Sequence, residues 1–572
     1  TYDTDYVASN IVATWTPKLG ENHNLNVVGG WNIEKTKYRN TYLQRRGILY
    51  PSLPSFELMD SSEYSVSDSG YDKSMVGVFG RINYTLLNRY IFEFAARYDG
   101  SSLFPTNQQW GFFPSGSIGW RISEEPWMKW SRNWLDNFKI RANVGSLGNA
   151  SIDPYQFLSL MRTSNSASKS IEKSSILING EQVPYTYWPT MVPASLTWET
   201  VTTYDIGVDF DLLRNRLSGS FDYYWRYTND MLINGPDYPQ VLGETSPKGN
   251  FGALKTKGWE ASLSWRDSFK VGGKPFNYNV KDSVWDSRTW VKDYYNSDGA
   301  IYSYYKGQEL GDIWGFRTDG YFLTNEEANN WAVDAFHKNG NNFRAYAGDL
   351  KFLDLDGNGG ERPTLDNHGD LDIIGNTTPR YQYGINLGAN WNGIGLSVFV
   401  QGVGKRDWYP MVESGFFWGM YNRPYGYLPK VHTTDAVIMD YSTENWRVTN
   451  PGAYYTRRVT YAANRNVGPL TYENDYYLQD ASYWRIKNIT IDYTFPQELT
   501  RKIRIEKLKI YVSGDNIFTH SPLFKHTDMF DPETIGFGDS DYNDTTGGLS
   551  GVGQGYSYPM LKTWTIGLNV TF

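Results

Sequence analysis

The chain closes on Tyr558-Pro559-Met560-Leu561-Lys562-Thr563-Trp564-Thr565-Ile566-Gly567-Leu568-Asn569-Val570-Thr571-Phe572. Tyr558, Met560, Trp564, Ile566, Leu568, Val570 and Phe572 are apolar, while Thr563, Thr565, Gly567, Asn569 and Thr571 between them are small or polar. Successive side chains of a β-strand point to opposite faces, so this period of two gives one apolar and one hydrophilic face. The same alternation runs through Tyr204, Ile206, Val208, Phe210 and Leu212, separated by Asp205, Gly207, Asp209 and Asp211, and again from Leu217 to Tyr227. It returns at 76–86, 90–98, 383–391 and 508–512. In Tyr483–Phe495 the phase changes across Lys487 and Asn488, which predicts a β-bulge. Counted in this way the chain holds about 15 strands, each roughly 10 to 15 residues long. They begin near residues 8, 24, 75, 89, 111, 137, 200, 216, 252, 276, 380, 394, 482, 505 and 558.

Composition narrows the class. The 572 residues include 22 Trp, 45 Tyr and 28 Phe but no Cys, and the mean hydropathy is −0.55. Apolar rings must therefore be interleaved with polar residues rather than clustered. No run of about 18 apolar residues exists, which excludes a transmembrane helix, and the absence of Cys excludes a disulfide scaffold and a zinc-thiolate site. A net charge of −8 argues against a nucleic-acid partner, whose phosphates are bound by clustered Lys and Arg.

Connections separate a membrane barrel from a soluble sandwich, because outer-membrane barrels have tight turns on one side and long loops on the other. Tight turns are expected at Asn88-Arg89, Arg214-Asn215 and Asn392-Gly393, the last suited to a type I′ hairpin. Modest connections are read at Pro17–His23, Asp267–Pro275 and Pro496–Arg504, and a short amphipathic helix at Ser123–Asn137. Long loops are expected near 37–74, 99–110, 147–198, 229–251, 293–379, 405–480 and 519–557. The fold class is thus all-β: a transmembrane antiparallel β-barrel with short periplasmic turns and long extracellular loops. Single-chain bacterial barrels have an even strand number with both ends on the short-turn side, so an odd count of about 15 predicts further strands upstream of Thr1.

Several segments resemble the SusC/RagA family of TonB-linked outer-membrane transporters. Arg97-Tyr98-Asp99-Gly100-Ser101-Ser102, Phe112-Phe113-Pro114-Ser115, Gly119-Trp120-Arg121 and Glu124-Glu125-Pro126-Trp127 are similar to its motifs, in order. Phe138-Lys139-Ile140-Arg141, Thr197-Trp198-Glu199, Lys257-Gly258-Trp259-Glu260, Gly348-Asp349-Leu350-Lys351, Tyr483-Trp484-Arg485-Ile486-Lys487-Asn488 and Ser513-Gly514-Asp515-Asn516-Ile517-Phe518 continue the series. The resemblance implies that 1–572 is the C-terminal part of a barrel of about 22 strands, with about seven strands and a plug domain outside this chain. It also implies the outer membrane of a Gram-negative, Bacteroidetes-like cell and a SusD-like surface lipoprotein as lid. Energy would come through TonB-ExbB-ExbD by way of the plug, and the cargo would be oligosaccharide or peptide. Phe572 would be the terminal aromatic read by the barrel assembly machinery. Two other readings compete: a passive porin or secretion barrel, and a soluble all-β carbohydrate-binding protein or glycosidase.

Three groups of residues are candidates for function. Asp354, Asp356 and Asn358, with Gly359 at the sixth position, match the first half of a calcium loop. Position 12 is Leu365 rather than Glu, with Asp366 one residue late and Asp370 and Asp372 beyond, so the alternative is an Asp/Asn/Gly turn closed by its own hydrogen bonds. Rings on the long loops, foremost Trp314, Trp408, Phe417, Trp418, Tyr421 and Tyr425, could contact substrate or lid, or could fill the loop interior. Strand-borne Trp225, Trp259, Trp265, Trp391 and Trp564 read as an interfacial belt. The six His show no metal spacing, there is no GxSxG and no phosphate-binding glycine loop, so no enzyme is expected. Lumen-facing Asp205, Asp209, Asp211 and Asp222 read as hydration of a polar interior.

Overall fold

The computed structural model describes residues 1–48, 50–53, 55–60, 64–161, 177–178, 181–182, 189–193, 195–236, 238–242, 246–331, 345–357, 361–410, 414–421, 428–458, 472–527, 529–535 and 558–572. Fifteen strands form one sheet in strict chain order, every neighbouring pair antiparallel. They are β1 (Tyr2–Trp15), β2 (His23–Arg45), β3 (Tyr64–Leu86), β4 (Tyr90–Ser101), β5 (Trp110–Arg121), β6 (Leu135–Asn149), β7 (Glu199–Leu212) and β8 (Leu217–Asn234). Then come β9 (Lys248–Val271), β10 (Lys274–Asp293), β11 (Arg380–Trp391), β12 (Ile394–Lys405), β13 (Tyr483–Thr494), β14 (Lys507–His520) and β15 (Thr563–Thr571). The ladder shifts register between Ile486 and Asn488, where the change of phase predicts a bulge.

The turns follow from backbone chemistry. Asn392 and Gly393 have φ of 48° and 88°, and Leu87-Asn88 has φ of 54° and 55°, the paired positive values of a type I′ turn. Gly272-Gly273 makes another such turn, with φ of 58° and 80°. The connection expected at Asp267–Pro275 is therefore a two-residue hairpin, and β9 and β10 run on to it. The expected loop at 37–74 is also mostly strand, because β2 and β3 stay in register from His23↔Leu86 to Arg45↔Tyr64. Beyond the membrane both faces of a hairpin stand in water, so ladder pairing continues after the apolar alternation has stopped. The helix expected within Ser123–Asn137 is instead two 3₁₀ turns, Ile122–Glu124 and Pro126–Ser131, with Trp127, Trp130 and Trp134 exposed.

One face of the sheet is apolar and exposed, carrying Phe92, Phe94, Ile118, Val144, Tyr204 and Ile206. In a bilayer that surface meets hydrocarbon. No helix among the described residues is long and apolar enough to cross a membrane. On the belt, Trp265 Nε1 donates to the Tyr278 hydroxyl at 3.0 Å and Trp391 Nε1 to the Val271 carbonyl at 3.2 Å. Phe572 is 88% exposed just beyond β15.

The opposite face is held by ion pairs rather than by water alone. Arg141 Nη2 donates to Asp222 Oδ2 at 2.7 Å and its Nε to Asp209 Oδ2 at 3.1 Å, while Asn143 donates to Asp205 at 2.7 Å. The motif around residue 97 forms a second clamp: Arg97 bonds Asp99 and reaches Asn32 at 3.0 Å. At the short-turn rim Glu125 accepts from the Tyr90 hydroxyl at 2.6 Å and from Trp120 Nε1 at 3.0 Å.

Gly207 lies under the Arg141 guanidinium, and a Cβ there would sit 2.4 Å from Asp222 Oδ1 and 2.6 Å from Arg141 Cζ. Gly207→Ala is expected to cost about 1–3 kcal/mol by forcing the cluster apart. Gly116→Ala, where an added Cβ meets nothing nearer than 3.8 Å, is expected to be neutral. Thermal unfolding of the detergent-purified barrel compares the two, and equal melting points would discount the cluster.

Candidate functional site

The segments between β10 and β11, between β12 and β13, and after β14 fold together into one body above the sheet. Asp312–Phe316 pairs with Leu371–Asn376, Thr318–Tyr321 with Leu350–Phe352, and Asp407–Trp408 with Gln479–Asp480. A one-and-a-half-turn helix at Asn325–Asn330 is capped reciprocally: Glu327 N donates to Thr324 Oγ1 at 3.1 Å and Leu323 N to Glu327 Oε2 at 2.7 Å. The Thr324-x-x-Glu327 spacing that makes this cap is a signal the sequence carries.

The centre of this body is aromatic. Trp418 packs edge-on against Phe417 and Tyr477, each with ring centroids 4.8 Å apart, and Trp408 lies 5.0 Å from Phe530. Polar atoms of these rings are satisfied inside: Trp418 Nε1 donates to the Pro410 carbonyl at 2.8 Å and the Tyr421 hydroxyl to the Thr456 carbonyl at 2.7 Å. Burial pushes the Tyr421 phenol well up. Arg457 and Asp349 form a bidentate pair at 2.7 and 2.9 Å within the same core.

Of the rings proposed from sequence to touch ligand or lid, Trp408, Phe417, Trp418 and Tyr421 are no more than 1% exposed. They present no surface: their faces are spent on one another, and their role in this structure is to hold three loops together. Trp314 is partly buried, its Nε1 donating to the Tyr305 hydroxyl at 3.2 Å. Tyr425 lies outside the described residues. Rings that reach solvent on these loops include Tyr295, Tyr302, Tyr304, Phe416 and Tyr441.

Asp354, Asp356 and Asp370 bring carboxylate oxygens within 4.8 Å of one another. Asn358 lies outside the described residues. Asp366 does not join the cluster, because the hairpin Glu361–Thr364 with Asn367–Gly369 carries it to an exposed tip and returns Asp370 in its place. Gly357 N donates to Asp354 at 2.7 Å and Leu355 N to Asp370 at 2.7 Å, closing the loop by side-chain to backbone bonds.

A cavity of about 430 Å³ opens at the extracellular ends of β8, β9 and β10, lined by Met231, Ile233, Leu254, Val291, Tyr304 and Leu310, with Lys248 and Asp293 beside them. Thr228, on the polar face with Asp222, sits opposite Leu254, which sits opposite Val291, so the cavity faces the lumen. Met231, Ile233 and Lys248 fall in the stretch expected to be loop at 229–251, which hid them. A larger groove of about 1040 Å³ lies against Phe92, Phe94, Ile118 and Tyr204. Those side chains belong to the lipid-facing surface, so acyl chains rather than solutes meet it.

The fold and its mouth are those of an outer-membrane barrel receptor. The TonB dependent receptor-like, beta-barrel family model matches residues 1–325, and the chain belongs to that family. It is 28% identical over 571 residues to TonB-dependent receptor P3 of Formosa agariphila, covering 96% of this chain and 51% of the relative. It is 26% identical over 591 residues to TonB-dependent receptor SusC of Bacteroides thetaiotaomicron, covering 98% of this chain and 50% of the relative. The structure of the RagAB peptide transporter superposes with a TM-score of 0.72 at 18% identity, over 100% of this chain and 56% of that one, a likeness of fold. The chain spans about half the length of the curated relatives it matches.

His432 is fully buried in the loop core, Nε2 donating to the Phe417 carbonyl at 3.0 Å and the ring 4.4 Å from that of Tyr455. Burial pushes its pKa down to about 4, with nearby Arg458 adding to the effect. The unfolded segment would take up a proton near pH 6.5 while the folded one resists it, so stability is complete above 6.5 and falls by up to about 3 kcal/mol as pH drops toward 4. Limited proteolysis of the loops is therefore expected to accelerate between pH 6.5 and 4. In His432→Phe that acceleration is expected to flatten.

Proposed function

We propose that this chain is the barrel portion of an active importer that draws oligosaccharides or peptides across the outer membrane, energised through TonB. A SusD-like lipoprotein would close over the loop body from outside. The observation that supports this most directly is the lumen-facing cavity at the mouth, set under a rigid body of packed loops. A passive pore needs no such receptor surface, whereas an importer must first hold its solute. The relative SusC carries the name of a TonB-dependent receptor, which supports the coupling, and RagAB that of a peptide transporter, which supports the peptide class of solute.

Uptake tests the reading. Cells carrying the complete receptor and its neighbouring lipoprotein are expected to accumulate labelled oligosaccharide or peptide only while TonB and the proton-motive force are intact. Accumulation that persists after the uncoupler carbonyl cyanide m-chlorophenylhydrazone would instead identify a passive channel.

A further inference from the structure

Among the described residues, the arginines of the loop body and its base that are at least partly buried are Arg317, Arg380, Arg406, Arg457 and Arg485. Four of them end on carboxylates, Arg380 on Asp286. Arg317 meets Asp372 at 2.8 Å, Arg457 meets Asp349 at 2.7 Å, and Arg485 meets Asp531 and Glu533, each at 2.6 Å. Arg406 differs. Among the described residues its one side-chain bond runs from Nη1 to the Pro532 carbonyl at 3.3 Å, and a guanidinium carries five N–H donors. Burial works against its charge, with Tyr483 the neighbour that favours it.

The acids closest to Arg406 in sequence and pairing are committed elsewhere. Asp407 accepts from Asn376 N at 2.9 Å, and Asp480, paired with Asp407 across the short ladder, accepts from Ser482 N at 2.9 Å. The backbone is fixed, since Ala481 N donates to the Arg406 carbonyl at 2.8 Å. Position matters as much as isolation. Arg406 directly follows β12, and Tyr483 faces Val403 on the same side of the sheet as the Gln401–Arg485 pair. That side also carries Asn488, bonded to Ser513 and Asp515 on the polar face. Among the described residues no carboxylate pairs with Arg406, and a charge kept partly out of water without a counter-ion is costly and calls for a partner.

We propose that Arg406 is an anion subsite at the mouth of the barrel, receiving a carboxylate of the incoming solute on its guanidinium edge. A carboxylate matches that edge with two parallel hydrogen bonds, which a neutral ester or amide cannot reproduce. The proposal rests on the import reading for the identity of its ligand, but binding needs neither TonB nor energy.

Two probe pairs test it on the complete receptor in detergent by titration calorimetry: tetra-alanine against its C-terminal amide, and trigalacturonate against its methyl ester. In at least one pair the acid is expected to bind about tenfold more tightly than its neutral partner. Arg406→Gln is expected to abolish that preference and Arg406→Lys to retain part of it. No preference in either pair with the wild-type receptor overturns the proposal without recourse to a variant, and so does a preference that survives in folded Arg406→Gln. Energised uptake of the neutral members by cells is scored separately: its failure would count against import, not against the subsite.

Discussion

Everything in this molecule follows from the fact that hydrocarbon offers no hydrogen-bond partner to a peptide group. A strand entering the bilayer must find both neighbours within the protein, and the strict meander supplies them from the strands next to it in sequence. Once the ladder is fixed, the pleat assigns each side chain to lipid or to lumen. The lipid side needs only rings and branched chains. The lumen side must satisfy its charges locally, which is why Arg141 lies across Gly207 to reach acids on two further strands.

The loops obey the opposite economy. Water surrounds them, so nothing forces regular pairing, and their order has to come from a core of their own. Packed side chains from residues as distant as Ile301 and Ile535 form a single cluster, and the true hydrophobic core of the chain lies there rather than in the sheet. Tyr and Trp suit this interior because each pairs a large apolar body with one donor that can find a carbonyl. The surplus of rings that marks the composition thus divides between the bilayer belt and a buried keystone.

Alternation made the strands legible, down to their number and the bulge after Ile486, because each lipid-spanning segment carries its own period. It failed where both faces are wet: the outer halves of β2 and β3 pair as regularly as the rest but lack an apolar side to announce it. Ring function was illegible for another reason. Whether Trp418 faces solvent or Tyr477 is settled by contacts between residues about 60 apart in sequence within one long loop, and no local pattern records them. The acidic loop shows the same limit, since a small hairpin exchanged Asp366 for Asp370, a step that spacing alone cannot foresee. Arg406 was hidden likewise, because which guanidinium meets a carboxylate among the described residues is settled by contacts between distant segments.

The length of β2, β3 and β9 has a mechanical meaning. At about 3.3 Å per residue a strand of 23 or 24 residues is roughly 75–80 Å long, and tilted at about 40° it rises some 60 Å, about twice the apolar band. The excess stands outside the membrane as paired sheet. On the long-loop side β2 and β3 therefore present a paired wall where a single-stranded tether could have stood. Little conformational entropy remains to be lost from such a wall on any further ordering.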